Sequence, residues 1–284
     1  NQEQAQNEIA AALSNLGSLA ERRDQLLDAR RYFERSVQLW RARGDSAGRA
    51  MELANSLSWL AAIQGALGDP VAAQANLREA LDLVVGSRSS GPDDSRRLQR
   101  EINLRYLLAL SARQLDAPEE SAAQLEAALA LASQDLANDP TQPRRGLMSA
   151  RLAYEYARLP ISAALHRQAM AQGDAVLYSA QATALSASEA RELRALRVLA
   201  SRPGAAADLR AALDEVLGVV GLADPTAGVD LGEAERAVAL YAALMTAAPG
   251  ARPLYRERLQ LVLERVPQTR RQSLRYLLAR RQFL

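Results

Sequence analysis

A helical motif recurs four times in the first 172 residues of the chain, and repetition of this kind constrains the fold more than any single residue does. Each copy has a Leu followed by a small residue and then, further along, a small, a large and a small residue spaced by four and three. The copies are Leu16-Gly17 with Ala29, Phe33 and Ser36; Leu60-Ala61 with Ala73, Leu77 and Ala80; Leu108-Ala109 with Ser121, Leu125 and Ala128; and a weaker Leu152-Ala153 with Ala164, Gln168 and Ala171. Such spacings place side chains on one helical face, so each copy predicts two antiparallel helices that meet through their small residues.

This pattern resembles the tetratricopeptide repeat (TPR), in which Leu-Gly or Leu-Ala precedes Ala-x-x-x-Phe-x-x-Ala. The copies begin at residues 10, 54, 102 and 145, farther apart than the usual ~34 residues, and so resemble the extended repeats of kinesin-light-chain type. The resemblance implies an all-α, right-handed superhelical solenoid of antiparallel helix pairs. Its repeats would cover residues 5–172, at about 10–43, 54–87, 102–135 and 145–172. Residues 173–284 would form divergent helical repeats and a basic C-terminal cap.

Turn and capping residues predict where several helices begin and end. Gly68-Asp69-Pro70 is expected to separate the two helices of the second copy, because Pro is tolerated in a first helical turn. Ser186 and Glu189 form a capping-box pattern that predicts a helix to about Ala200. Two last helices are expected over 253–265 and 268–282.

Composition argues against most catalytic chemistries. All 35 basic residues are Arg, the chain has no Cys, and His166 is its one His. Without Lys there is no Schiff-base chemistry and no Walker A loop, and without Cys there is no thiolate nucleophile or cysteine zinc site. We therefore expect no enzyme activity, no cofactor and no metal. A hydrolase that uses Ser and His166 is the least favoured alternative, because no Gly-x-Ser-x-Gly motif is present.

The resemblance also implies a concave groove lined by the first helix of each repeat, where Asn side chains hold a peptide backbone and basic ones its carboxylates. The candidate groove residues are Asn15, Arg22, Asn55, Asn103, Tyr106, Arg113, Arg151, Tyr154 and Arg158. Trp59 and Leu107 stand where Asn15 would recur. The arginines would suit an acidic or C-terminal peptide segment. The alternative is that these residues pair with acidic neighbours on a solvated face.

Charge is concentrated at the C-terminus. Residues 251–284 hold nine Arg and two Glu, although the whole chain has a net charge of only +2. Within the predicted last helix, Arg270, Arg271, Arg275, Arg280 and Arg281 form a basic surface beside an apolar stripe. A capping helix with its polar side in water is the favoured interpretation. Binding of nucleic acid or an anionic surface is the alternative function, with nucleic acid disfavoured because few aromatic residues interrupt the Arg.

The kind of protein to which this chain belongs can be inferred only from the resemblance. Extended repeats of this type occur in bacterial signalling proteins, which implies a non-catalytic interaction, scaffold or sensor module within a larger bacterial signalling or regulatory protein. We expect a bacterial cytoplasmic or periplasmic location, since the first residues lack a signal-peptide pattern and no apolar run is long enough for a transmembrane segment. Partner identity and oligomeric state stay open.

Overall fold

The computed structural model describes residues 2–42, 47–87, 94–201 and 248–266, together with helical residues at 211, 234, 237–238, 240–242 and 244–245. The helices with described ends are α1 (Gln2–Arg22), α2 (Leu26–Arg41), α3 (Ala47–Ala66), α4 (Pro70–Gly86), α5 (Asp94–Gln114), α6 (Pro118–Asn138), α7 (Pro143–Ala157), α8 (Ala163–Leu177), α9 (Ala187–Ala200) and α10 (Arg252–Glu264). Short 3-10 turns occupy Ala180–Ala184 and Pro249–Ala251. Every regular element in these ranges is helical, which confirms the predicted all-α class.

The chain divides into two compact units, Asn1–Leu131 and Ala132–Leu284. In unit 1, α1 packs on α2 and α3 on α4, while α2 contacts α3 and α4 contacts α5. Each helix pair therefore packs on the next through its second helix. In unit 2, α7, α8 and α9 pack on one another. A second core of unit 2 joins Ala195 of α9 to Leu240 and Tyr241 and to Tyr255 and Leu259 of α10.

The small residues of the first three motif copies lie where the sequence predicts them, between the helices of a pair. Ala29, Ala73 and Ser121 are all buried, as are the large residues Phe33, Leu77 and Leu125 that follow them by four. In the first pair the ring of Phe33 lies directly on Gly17, where a Cβ atom would stand 2.7 Å from Phe33 Cε1. Close approach of the two helices is thus the physical reason for the small residues.

The predicted register of the fourth copy was wrong in its second helix. Ala164, Gln168 and Ala171 are exposed on α8. The buried face of α8 is formed instead by Ala169, Gly173, Val176 and Leu177. The small-large-small pattern does not apply here, because the large ring that fills this pair comes from the opposite helix, as described below.

The turns between paired helices in unit 1 share one conformation. Asp24, Gly68 and Asp116 occupy equivalent positions and have φ of 56°, 81° and 56°. At each turn the following amide donates to a carbonyl five residues back, as in the 2.9 Å bonds from Gln25 N to Ala20 O and from Asp69 N to Gln64 O. This is the Schellman termination, which needs a left-handed residue that Gly adopts freely and Asp tolerates.

Several predicted helix ends are confirmed. Pro70 is the first residue of α4, and the Asp69 side chain accepts a hydrogen bond from Ala72 N at 3.1 Å. Ser186 and Glu189 make both bonds of a capping box before α9. The pKa of the Glu189 carboxyl is lowered, chiefly by its hydrogen bond from the Ser186 side chain. The helix predicted over 268–282 lies outside the described residues.

Candidate functional site

The candidate groove of unit 1 lies on the first helices of its repeats. Asn15 and Arg22 on α1 are exposed, as are Asn103 and Arg113 on α5, while Tyr106 is half-buried. Asn55 on α3 is 9% exposed and so contributes little surface. The exposed members of the candidate set are thus two Asn and two Arg side chains on α1 and α5.

Trp59 lies at the position equivalent to Asn15 and adds an aromatic surface that the clamp pattern did not include. Its ring packs on Phe33 with centroids 5.7 Å apart, yet the residue is still 38% exposed. A Trp anchored by its neighbour loses little entropy when a ligand covers it, which is why such residues concentrate binding energy. The repeat spacing identified this position, although not its role.

Three buried hydroxyl groups fix the helices that carry this face. Ser14 Oγ lies 2.9 Å from Ser36 Oγ and 3.3 Å from Ser56 Oγ, and Ser36 Oγ donates to Ala10 O at 3.0 Å. The three serines come from α1, α2 and α3, and all are buried. Each buried hydroxyl has a hydrogen-bond partner within the network, so its burial carries no unpaired polar group. The network also fixes the register of the three helices.

Ion pairs link the second helices of unit 1. Arg41 on α2 pairs with Glu79 on α4, and Arg78 on α4 donates to Glu120 on α6 at 2.6 Å. These side chains are substantially exposed, so each pair contributes little to stability. Each pair joins the second helices of two consecutive repeats.

A buried carboxylate on α5 is held by two arginines. Glu101 accepts hydrogen bonds from Arg105 Nε at 3.0 Å and from Arg97 Nη1 at 3.3 Å. Glu101 is almost completely buried, so the two guanidinium groups compensate its charge. Nearby on the same helix, burial lowers the pKa of Arg100, an effect that the charge of Glu52 opposes.

The groove arginines of unit 2 are paired with carboxylates. Arg151 on α7 donates from Nε and Nη2 to the two carboxylate oxygens of Glu192 on α9, at 2.8 and 2.9 Å. Arg158 donates to the nearly buried Glu155 at 3.0 Å. The first pair is a two-bond clamp between helices that are distant in sequence. The Arg151 pair joins α7 to α9, whereas the Arg158 pair lies within α7 and the residue that follows it.

Tyr154 is completely buried, so its ring contributes no surface to a groove. Its hydroxyl donates to Asp174 Oδ1 at 2.8 Å, and Arg197 donates to both oxygens of the same carboxylate at 2.7 and 3.2 Å. Burial, and then the hydrogen bond to Asp174, raise the pKa of Tyr154 well above its usual range. The hydrogen bond from Arg197 to Asp174 also raises the pKa of Arg197. This chain of contacts joins α7, α8 and α9.

Gly173 makes room for the Tyr154 ring. A Cβ atom on Gly173 would stand 2.4 Å from Tyr154 Cε1 and 2.6 Å from Cζ. Arg197 extends over the exposed ring of Tyr178, with its Cζ 5.6 Å from the ring centroid. The repeat pattern gives no signal for Gly173, Asp174 or Arg197, because the first two lie on the second helix of the fourth copy, where the predicted register was wrong, and Arg197 lies on the next helix.

His166 has a structural position on α8. Its Nε2 lies 2.8 Å from the carbonyl oxygen of Ala200, the last residue of α9. Since a carbonyl only accepts, Nε2 carries the hydrogen and satisfies one of the helix-terminal carbonyls that lack a partner within α9. This contact is that of a packed helical His.

The predicted basic surface formed by Arg270, Arg271, Arg275, Arg280 and Arg281 lies outside the described residues. In the described ranges no three His, Asp or Glu side chains are grouped so that they could hold a metal ion. None of the described helices combines the length and the apolar character needed to cross a membrane.

Comparison with known proteins identifies the repeat. The tetratricopeptide repeat family model matches residues 8–84. Among solved structures, the crystal structure of the apo form of RapI is similar to this chain with a TM-score of 0.61 at 11% sequence identity, over 93% of this chain and 84% of that one. At that identity the similarity concerns the fold alone. No curated protein matches the chain. Residues 8–84 therefore consist of tetratricopeptide repeats, within a chain that has a TPR-like helical-repeat fold.

Proposed function

We propose that the chain is a non-catalytic protein-interaction module whose unit 1 binds an extended, acidic peptide segment of a partner protein. The tetratricopeptide repeats indicate the general function, that of a protein-interaction scaffold. The peptide-binding proposal is supported chiefly by exposure. Asn15, Trp59 and Asn103 are exposed on α1, α3 and α5, and Arg22 and Arg113 are exposed on α1 and α5. By resemblance, the module belongs to a larger bacterial signalling or regulatory protein.

The chemistry of this face favours a peptide. Amide side chains of Asn can both donate to and accept from a peptide backbone, and guanidinium groups bind carboxylates through two parallel bonds. The exposed part of Trp59 offers a surface for an apolar or aromatic side chain of the ligand. Arg151, Tyr154 and Arg158 are left out of the proposed site, since the ring of Tyr154 is buried and both arginines are paired with carboxylates.

A library of random peptides with free C-terminal carboxylates, presented to the full chain, tests this proposal. Selected peptides should be acidic. Asn103→Ala combined with Arg113→Glu should weaken their binding by roughly tenfold to a hundredfold, as expected for loss of a charge-assisted contact. Arg31→Glu is the matched control, because Arg31 is an exposed arginine on α2 and carries the same charge change.

Two results would contradict the proposal. If no selected peptide depends on Asn103 and Arg113 for binding, these residues do not form a peptide-binding site. Equal weakening by Arg31→Glu would show general charge attraction rather than a site. Circular dichroism of each variant confirms that the helices are retained.

A further inference from the structure

The outward face of α1 carries an apolar stripe that the described side chains of α3 and α5 do not expose. Ile9, Leu16 and Leu19 are 51%, 44% and 44% exposed. Ala5, Ala12 and Arg23 are exposed on the same line, so the six residues follow one another at steps of four and three. This is the spacing of a helix–helix seam. We call these six residues the α1 seam.

The equivalent positions in the next two repeats are buried. Leu16 corresponds to Leu60 and Leu108, which are 5% and 1% exposed, and Leu19 corresponds to Ile63 and Ser111, which are 1% and 6% exposed. In the second repeat this burial includes α2 of the preceding repeat, which packs on α3. The α1 seam thus has the residue types and spacing of a buried interface and faces solvent.

The charges beside the seam indicate what covers it. Glu8, Asn15 and Arg22 are all exposed and follow one flank of the seam at intervals of seven residues. Two copies of α1 that meet antiparallel about Asn15 bring Glu8 of each copy opposite the partner's Arg22. A parallel pair would instead place this flank beside the partner's opposite flank, so Glu8 and Arg22 would not meet. The flank is therefore complementary to itself in one orientation only.

We propose that the α1 seam binds a second copy of this chain in an antiparallel, two-fold symmetric dimer. In this register Ile9 packs on the partner's Leu19, and Ala12 packs on the partner's Leu16. A two-fold interface uses the same surface on both copies and closes on itself, so it ends at the dimer and forms no filament. The dimer would cover Asn15 and Arg22, which are also members of the proposed peptide face, whereas Asn103 and Arg113 on α5 belong to the peptide face alone. The test of the dimer needs no peptide, so its failure and the failure of peptide binding at Asn103 and Arg113 are distinguishable.

The experiment measures the mass of the full chain across a concentration series by light scattering and sedimentation. The wild-type chain should approach twice the 30.8 kDa of a single chain. Glu8→Arg or Arg22→Glu alone should raise the dissociation constant by roughly tenfold, because each creates two like-charge contacts at a two-fold interface. The double variant E8R/R22E restores opposite charges within the same dimer and should return the constant to near the wild-type value.

Apolar variants provide the second arm. Leu16→Glu together with Leu19→Glu should give monomers whose helix content by circular dichroism is unchanged, because both positions are already exposed. Leu27→Glu and Val71→Glu are matched controls at exposed apolar positions away from the seam and should leave the dimer intact.

Three outcomes would overturn the proposal. One is a wild-type chain that stays monomeric through the series. Another is a dimer that survives Leu16→Glu with Leu19→Glu, which would place the interface elsewhere. The third is a double charge exchange that is no better than the single ones, which would mean that Glu8 and Arg22 do not meet.

Discussion

The first and fourth helix pairs solve the same packing problem with opposite assignments. In the first pair the glycine, Gly17, is on the first helix and the ring, Phe33, is on the second; in the fourth pair Tyr154 is on the first helix and Gly173 on the second. Both rings are completely buried. These two pairs therefore share a ring seated on a glycine, and either helix can supply either member.

The two rings differ in what they demand of their surroundings. Phe33 needs only apolar neighbours and lies against Trp59. Tyr154 carries a buried hydroxyl, which costs free energy unless it is hydrogen-bonded. Asp174 accepts that bond and its charge is in turn compensated by Arg197. One oxygen atom on a ring thus accounts for a carboxylate, a guanidinium group and a third helix in the contact.

The largest expected effect comes from filling the two glycine seats. Gly173→Ala should lower the free energy of unfolding by roughly 3 kcal/mol, because its Cβ would overlap a completely buried ring. Gly17→Ala should cost less, since its Cβ would stand 2.7 Å rather than 2.4 Å from the ring it meets. Urea unfolding of both variants measures the difference.

Gly86→Ala is the control for the glycine pair, because no atom beyond the adjacent residues and the nearby backbone of its own helix lies within 4 Å of its Cβ position. It should leave stability unchanged or raise it by up to about 1 kcal/mol through loss of unfolded-state freedom. If all three variants behave alike, close contact with the rings does not explain the glycines.

Removal of the carboxylate acts on unit 2 alone. Asp174→Ala leaves the Tyr154 hydroxyl buried without its acceptor and should destabilise the fold by about 2 kcal/mol. Asp174→Asn keeps an acceptor for the hydroxyl and should cost less. Thermal unfolding followed by circular dichroism ranks the two, and the reverse order would contradict the role given to the carboxylate.

Exchange of the ring types tests the asymmetry directly. Phe33→Tyr places a hydroxyl in an apolar seat and should cost about 1–2 kcal/mol, whereas Tyr154→Phe removes a hydroxyl but leaves Asp174 paired with Arg197 and should cost less than about 1 kcal/mol. Chemical unfolding of both variants provides the comparison. Equal costs would mean that the two seats are chemically alike.

The smallest effect is a dependence on alkaline pH. Because the pKa of Tyr154 is raised in the folded state, the neutral phenol is retained there while an unfolded chain ionises near its usual value of about 10. The contribution of Tyr154 to stability is thus present below that pH and decreases as pH rises above it. Stability curves of wild type and Tyr154→Phe should converge in that range, and absorbance at the tyrosinate band should show Tyr154 ionising together with unfolding.

The sequence predicted the first three helix pairs because each of their contacts is encoded within one motif copy. The small residues Gly17, Ala61 and Ala109 indicate that the two helices of each pair pack closely. A large residue follows at a similar distance on the second helix of each pair. The predicted register of the fourth pair was wrong for a physical reason. A search for small-large-small on the second helix cannot recognise Gly173, whose ring partner is on the first.

In the candidate site, too, contacts between residues close in sequence can be predicted, whereas contacts between residues far apart in sequence cannot. The pairing of Arg158 with Glu155 is readable from a spacing of three residues on one helix. The pairing of Arg151 with Glu192 joins residues 41 apart and depends on how α9 packs on α7. The sequence left open whether the groove arginines bind a ligand or pair with neighbours, and tertiary contacts decide which carboxylates are within reach.

The two-bond arginine pairs have a consequence for how the protein responds to its medium. Because the chain has no Lys, all of its basic side chains are guanidinium groups, which keep their charge at any pH in which a protein stays folded. The contacts of Arg151 with Glu192 and of Arg197 with Asp174 therefore persist while tyrosines ionise. In an alkaline titration the arginine cations stay constant, so the response of unit 2 reports its tyrosines, Tyr154 among them, without a background of lysine amines losing their protons.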